Sequence, residues 1–476
     1  MSTPRLYLPE MMYARAGLQT GAGFQACQGV GLLVGGDGRV NGFVAKDAVR
    51  PGTEIVCLAG KALLPGLANA HSHTFQRLFR GRAEGRAAGG DTFWTWREQM
   101  YRAASFLSPE ELYDVARATF LEMAAAGITA VGEFHYLHRD TDGKAYADGN
   151  LLSHQVIAAA QSVGLRIALL RTAYFRAGFE RAPHDGQRRF YEQPGEYLRN
   201  LDSLIARYAH TPNVTVGAAP HSIRAVPVND LKAVAEFAEA RRIPLHMHIS
   251  EQVAENAACV AEYGRTPVAL MAEHGVLSRR TTLVHAIHLT DEEFGLVAAA
   301  GTTICSCPTT ERNLGDGIFP ADTALRLGIP IAFGTDSQAQ IDVLEDARQI
   351  EYHLRLRDQQ RGILDASARV DWASRDPIGE ALLQAASANG YAALGLDRGQ
   401  LAAGDPADFF TIDLNELSIL GMDVESLPSQ AVFALAKGAV CDVAVQGKLI
   451  LKDGRHDDEE EIRERYRVVQ KRFSNS

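Results

Sequence analysis

Eight short runs rich in apolar and β-branched residues recur along the middle of this chain, most of them separated by stretches with helical spacing. They occupy residues 63–70, 129–136, 166–174, 214–220, 244–249, 281–289, 302–307 and 330–334. Between them lie Ala/Leu/Glu-rich stretches such as 109–126 (PEELYDVARATFLEMAAA) and 228–241 (VNDLKAVAEFAEAR). Ser108 before Pro109, with Glu111 three residues on, predicts a helix start, and Gly127 predicts its stop. Strand and helix alternating eight times over this span predict an α/β fold, a (β/α)8 barrel of the TIM type. The 476 residues leave room for a smaller partner domain.

That partner is predicted from the two ends of the chain. The runs 31–34 and 39–44 flank the turn Gly35-Gly36-Asp37-Gly38, which reads as a hairpin, and a short strand follows at 54–58. The last part has the same character, with short strands at 409–412, 441–445 and 448–451. We expect residues 1–64 and 391–476 to form a composite small β-sandwich domain, and 65–390 to form the barrel. A solvated terminal helix is predicted over 457–473, acidic at its start and basic after.

Composition excludes several classes. Apolar residues make up 46% and charged residues 22%, which argues against long disorder. A formal charge of −10 disfavours a nucleic-acid partner. No apolar run is long enough to span a membrane, and Met1–Arg5 has no signal-like apolar core. Six scattered cysteines do not form a disulfide framework. A cytoplasmic location is expected.

Function is written where the runs end. Polar residues cluster there as Asn69-Ala70-His71-Ser72-His73, Glu133-Phe134-His135-Tyr136, Pro220-His221-Ser222, His246-Met247-His248-Ile249-Ser250-Glu251, His285 with His288, and Gly334-Thr335-Asp336-Ser337. In a (β/α)8 barrel the strand C-termini build the active site. Residues i and i+2 of a strand share a face, so His71 and His73 can converge on one metal ion. A third imidazole from strand five and a carboxylate from strand eight would complete a His3Asp set with one open position. These donors suit zinc, with iron or manganese left open. A water on such an ion has its pKa lowered to about 7.

The combination of Pro65-Gly66-Leu67-x-Asn69-x-His71-x-His73, His248-Ile249-Ser250-Glu251, His285 and Gly334-Thr335-Asp336-Ser337 resembles the amidohydrolase superfamily, in its cytosine- and adenosine-deaminase-like branch. The resemblance implies metal ligands His71, His73, His248 and Asp336, with Glu251 as proton shuttle and His285 orienting the nucleophile. Asp336 would double as the base. His246 shares a face with His248, and the His-x-x-Glu spacing favours His248. The lysine of two-metal members is absent from Ala218-Ala219-Pro220-His221, so one metal per subunit is implied.

Among the deaminases, Thr74-Phe75-Gln76-Arg77, the stretch around Arg97, Tyr136 and His221-Ser222-Ile223-Arg224 resemble the formimidoylglutamate deiminases of histidine degradation. That implies a pocket lined by Gln76, Arg97, Tyr136, His221 and Arg224, and a homodimer. The chemistry agrees: a dicarboxylate calls for arginine, which clamps carboxylates through paired donors. The alternative is deamination of a heterocycle such as guanine or cytosine. Trp94 and Trp96 either roof the site or pack their own loop. The Arg- and Gly-rich stretch 175–190 reads as a long mobile loop, contributing to the pocket or to a subunit interface. Cys305-x-Cys307 is read as buried apolar cysteine rather than a metal motif. Asp140-Thr141-Asp142-Gly143 is read as a surface turn, because Leu151 stands where a calcium loop needs Glu.

Overall fold

The computed structural model describes residues 3–15, 24–84, 92–365, 376–396 and 399–475, with backbone alone at 15, 24–28 and 92–95. Sixteen strands are seen among them: β1 (Arg5–Arg15), β2 (Phe24–Gln28), β3 (Gly31–Val34), β4 (Val40–Val44), β5 (Glu54–Pro65), β6 (Leu67–Ser72), β7 (Ile128–His135), β8 (Arg166–Ala173), β9 (Val214–Pro220), β10 (Leu245–Ile249), β11 (Thr281–His285), β12 (Thr303–Ser306), β13 (Ile331–Phe333), β14 (Phe409–Asp413), β15 (Val440–Val445) and β16 (Lys448–Leu451).

Strands β6 to β13 lie side by side in sequence order as one parallel sheet. Every residue of β6, β7 and β8 is buried, as expected where helices cover one face and the barrel interior the other. The seam between β13 and β6 is closed at one end, where Ser72 bridges Asp336 and backbone bonds run from His73 N to Asp336 O (3.1 Å) and from Asp336 N to His71 O (3.0 Å). The segments carrying His71, His73 and Asp336 therefore close the barrel themselves. Helix Pro109–Ala124 starts on the expected box, Ser108 accepting from Glu111 N while the Glu111 carboxylate accepts from Ser108 N.

The chain ends form a separate sheet in the order β16-β15-β14-β5-β1-β3-β4, with β2 paired to β1. The 31–44 hairpin is present, Gly31 opposite Val44. β1 is a strand that the sequence reading did not name. The first run of the reading is divided between two sheets: β5 ends at Pro65 in the outer sheet, and β6 begins at Leu67 in the barrel. Gly66 makes the crossing possible, because a Cβ there would sit 2.1 Å from Thr129 Oγ1. A buried network locks the two sheets together. Asp408 accepts from Arg166 Nη1 (2.8 Å), Tyr391 Oη (3.0 Å) and Gln446 N (2.7 Å). Removing one partner of such a buried pair costs about 3–5 kcal/mol. The C-terminal helix, Glu459–Asn475, lies against helix Pro109–Ala124, and Arg117 of the latter pairs with Asp458 (2.9 Å) and Glu461. Asp140–Gly143 is a turn, with Asp140 Oδ1 accepting from Asp142 N and Lys144 N. Among the described residues, no helix is long and apolar enough to cross a membrane.

Candidate active site

At the C-terminal mouth of the barrel three imidazoles meet. His71 Nε2 lies 3.2 Å from His73 Nε2 and 3.1 Å from His248 Nε2, and the last two are 3.4 Å apart. Asp336 Oδ1 lies 3.3 Å from His71 Nε2 and 3.2 Å from His73 Nε2. All four residues are buried, and their donor atoms lie within 4.8 Å of one another. Two donors about 2.0–2.1 Å from one ion at the tetrahedral angle are about 3.3 Å apart, so these separations fit one divalent ion.

The neighbours set the ring tautomers that such binding needs. His73 Nδ1 donates to Phe134 O (2.8 Å) and His248 Nδ1 to His221 O (2.9 Å), which leaves both Nε2 lone pairs facing the centre. Burial holds His71 down to about 3 and His248 well below the usual range, so both are neutral. Asp336 is held ionised well below the usual carboxylate range: burial opposes this, but the adjoining His71 and His73 imidazoles outweigh it. The backbone is bent to aim these groups, with φ of +49° at Ser250, +72° at His285 and +45° at Asp336, conformations that non-glycine residues rarely adopt.

A second layer holds the ligand segments. Glu133 accepts from Ser72 Oγ (2.7 Å), Thr74 N (2.8 Å) and Thr74 Oγ1 (2.7 Å), gripping the residues on either side of His73. Burial pushes its carboxyl up to about 6. Gln338 Nε2 donates to Ser72 Oγ (2.9 Å) and to Asp336 O (2.9 Å), tying β6 to the Asp336 loop. Asn69 and Thr335 exchange two further bonds across the seam.

His285 stands among three carboxylates on one side of the cluster. His285 Nε2 lies 3.7 Å from Glu251 Oε1 and 3.7 Å from Asp336 Oδ2, the oxygen not aimed at His71 and His73. Its Nδ1 lies 3.3 Å from Glu311 Oε1. Burial would lower His285, but Glu251, Glu311 and Asp336 around it raise it well above the ordinary imidazole range.

A pocket opens over the centre. Gln76, Arg97, Tyr136, His221 and Arg224 all line it, together with His73, His248, Glu251, His285 and Asp336. Gln76 Nε2 donates to Tyr136 Oη (2.8 Å), and Arg97 Nε to Tyr101 Oη (2.7 Å). Arg224 Nε is buried without a hydrogen-bond partner. Its guanidinium nonetheless stays charged: burial lowers its pKa, but Tyr174, Glu255 and Glu251 more than offset this. His221 is kept neutral by burial and by Arg224. Trp96 lines the pocket and packs edge-on against Phe79 at 5.8 Å; the Trp94 side chain lies outside the described residues.

Other expectations resolve as follows. His246 faces the opposite end of the barrel, bonding Ala393 O at 2.8 Å, and His248 alone of the pair joins the cluster. His288 bonds Asp316 O (2.8 Å) and bridges two loops. The far end of the 175–190 loop is anchored: Arg189 Nη1 donates to Leu107 O (2.9 Å), Gln187 Nε2 to Tyr174 Oη (2.8 Å), and Phe190 reaches the pocket. The sequence reading gave no role to Glu311, Gln338, Glu255 or Tyr174. An acid five or six residues beyond a strand end was the only signal available for the first and third.

The amidohydrolase family pattern matches residues 62–450. A formimidoylglutamate deiminase of Pseudomonas aeruginosa is 40% identical over 402 residues, covering 84% of this chain and 87% of that protein. Among solved structures, an amidohydrolase from Brucella melitensis superimposes with a TM-score of 0.87 at 32% identity, over 98% of this chain and 99% of that one. An adenosine deaminase from Xanthomonas campestris with bound zinc gives 0.81 at 23% identity, over 99% of each. At that identity the likeness concerns the fold.

Proposed function

The chain belongs to the amidohydrolase family, and from that premise we propose that it hydrolyses N-formimidoyl-L-glutamate to N-formyl-L-glutamate and ammonia, as a step of histidine degradation. The observation that carries the substrate is the pairing of Arg97 and Arg224 in one pocket with the His71–His73–His248–Asp336 cluster. Two guanidiniums over the site answer the two carboxylates of the substrate. The 40% identity to the Pseudomonas aeruginosa enzyme supports the same choice.

His71, His73, His248 and Asp336 would hold one zinc ion per subunit, a choice that rests on their nitrogen-rich donor set. When bound, the ion would polarise a water so that hydroxide is available at neutral pH. The residues of the chain divide the proton transfers. Asp336 Oδ2, turned toward His285, accepts the proton lost as the nucleophile adds to the amidine carbon. Glu251 takes the first proton of the nucleophilic water and returns it to the nitrogen that departs as ammonia. His285, charged and close to both carboxylates, donates to the oxygen that gains negative charge. Gln76 and Tyr136 orient the amidine, and His221 packs beneath it. This reading takes residues 65–390 as the catalytic unit, with the composite β unit of 1–64 and 391–476 beside it, and a cytoplasmic homodimer as the working form.

The products test it. An amidine can expel either of its nitrogens, and the arrangement of Glu251 favours loss of the terminal one. Proton NMR of the reaction should show N-formyl-L-glutamate with ammonia in equal amounts. Formamide with glutamate would mean that the substrate lies the other way round and that the arginine assignment is wrong.

A further inference from the structure

On the far side of His285 from the main cluster lies a second group of metal-type donors: His285 Nδ1, Cys307 Sγ and a Glu311 carboxylate oxygen, all buried and within 4.8 Å of one another. We propose that this is a second divalent-ion site, selective for thiophilic ions such as zinc, and that its occupation switches the enzyme off by capturing His285.

The geometry is partly set. His285 Nδ1 and Glu311 Oε1 are 3.3 Å apart, the same separation as the donors of the main cluster and the one expected around an ion at about 2.0–2.1 Å. The Glu311 carboxylate is held in place by Cys307 N (2.7 Å) and Ser306 Oγ (3.0 Å), as the outer partners of metal ligands commonly hold them. Thiolate to nitrogen or oxygen across one such ion spans about 3.6 Å, so Cys307 needs to close by at most about 1 Å. Strand β12 and the start of the helix Pro308–Leu314 carry both Cys307 and Glu311, so that adjustment is local.

The charge around the site favours a cation. Glu251 and Asp336 face His285 from the other edge at 3.7 Å each, while Glu311 stands at Nδ1. Three carboxylates around one imidazole leave an excess of negative charge that a cation would offset. Binding forms an S–metal and an N–metal bond and releases the Cys307 thiol proton to the buffer, with His285 Nδ1 giving up any proton it carries to Nε2 or to the buffer; nothing is oxidised or reduced. Entry is from the main pocket, which His285 lines. The donor sets differ in one respect that allows them to be told apart: the main cluster has only nitrogen and oxygen donors, whereas the second has sulfur.

The inhibitory half rests on the acid/base role proposed for His285; the binding half does not. The test uses protein carrying one metal equivalent, titrated with Co2+ while its near-ultraviolet spectrum is followed, with turnover measured in parallel in excess Zn2+. A second equivalent should bind with a thiolate-to-cobalt charge-transfer band, and excess Zn2+ should lower kcat about 10²-fold, the low end of what a positioned proton donor supplies. Cys307→Ser should keep turnover at one equivalent, lose the band and the second ion, and resist Zn2+; Cys305→Ser should behave as wild type. Binding that stops at one equivalent without the band, or a band that survives Cys307→Ser, overturns the site. A Cys307-dependent band without inhibition overturns the switch. Should Cys307→Ser fail to fold, Cys307→Ala read by the same titration decides the matter. If the protein turns over no amidine at all, the cobalt spectrum still decides the site.

Discussion

Replacing Arg224 by methionine separates binding from stability on the proposed reading, because this side chain lines the pocket while its Nε has no hydrogen-bond partner in the fold. Its Nε is buried with no partner, and its charge is held by the field of Tyr174, Glu255 and Glu251. Methionine fills similar volume without the charge. Losing one partner of a desolvated charge pair costs about 2–5 kcal/mol in binding. The pocket is open on one side, so we take about 3 kcal/mol, which at 1.36 kcal/mol per tenfold is a loss of about 10²-fold in kcat/KM. On the proposed reading Arg224 holds a carboxylate remote from the reacting carbon, alike in ground and transition states, so the loss should fall on KM with kcat nearly kept. Stability should hold or rise, by about 1 kcal/mol, as an unsatisfied buried donor disappears. Steady-state ammonia release on N-formimidoyl-L-glutamate, together with urea unfolding, reads both quantities. A neutral N-alkyl formamidine, turned over slowly, should lose nothing. An unchanged KM for the dicarboxylate, or an equal loss on the neutral amidine, would refute the clamp.

Four further outcomes are expected. Glu251→Gln keeps shape and metal content but removes the proton donor, so kcat should fall by about 10²–10⁴-fold with one metal still bound, checked by elemental analysis. Glu133→Ala deprives Ser72 and Thr74 of three bonds, and should weaken metal affinity by about 10–100-fold in a chelator competition. Chelation of the metal should abolish turnover and lower Tm, with both restored by Zn2+, because an ion that binds only the native state stabilises it. Burial, chiefly, raises the Glu255 carboxyl from 4.5 to about 7. The native state then binds more protons than the unfolded chain between those values, so stability falls as pH rises from about 4.5 to 7. For this one group the fall amounts to about 3 kcal/mol. Urea unfolding across that range should show it in the wild type, and a flatter curve in Glu255→Gln.

Most of the barrel could be read from the chain because strands buried on both faces leave near-continuous apolar runs. The polar residues ending those runs marked the candidate site because six such groups fall in register at one end of the barrel, although single members such as His246 and His288 serve the fold instead. His248 was separable from His246 only through Glu251: both face the barrel interior, and strand periodicity cannot tell one layer from the next. The division at Gly66 leaves no mark in the sequence because the end of β5 and the start of β6 form one apolar run, and only packing against Thr129 shows where the chain changes sheets. β1 pairs with β5 in parallel across some fifty residues, a contact with no local trace. Glu133 stood in a cluster recognised from sequence, but its grip on Ser72 and Thr74 depends on neighbouring strands. Glu311 and Cys307 meet His285 only through the ordering of β11 and β12.

The central claim is that a metal centre made for C–N hydrolysis sits beneath a pocket made for a dicarboxylate. Ammonia release by zinc-loaded protein measures it most directly, with N-formimidoyl-L-glutamate, N-formimidoyl-L-aspartate, guanine and cytosine run side by side. The account expects rapid turnover of the glutamate compound, weak turnover of its shorter homologue and none of the heterocycles. Turnover of a heterocycle with silence on the glutamate compound would contradict it, leaving the barrel and its ligands in place but removing the acidic substrate.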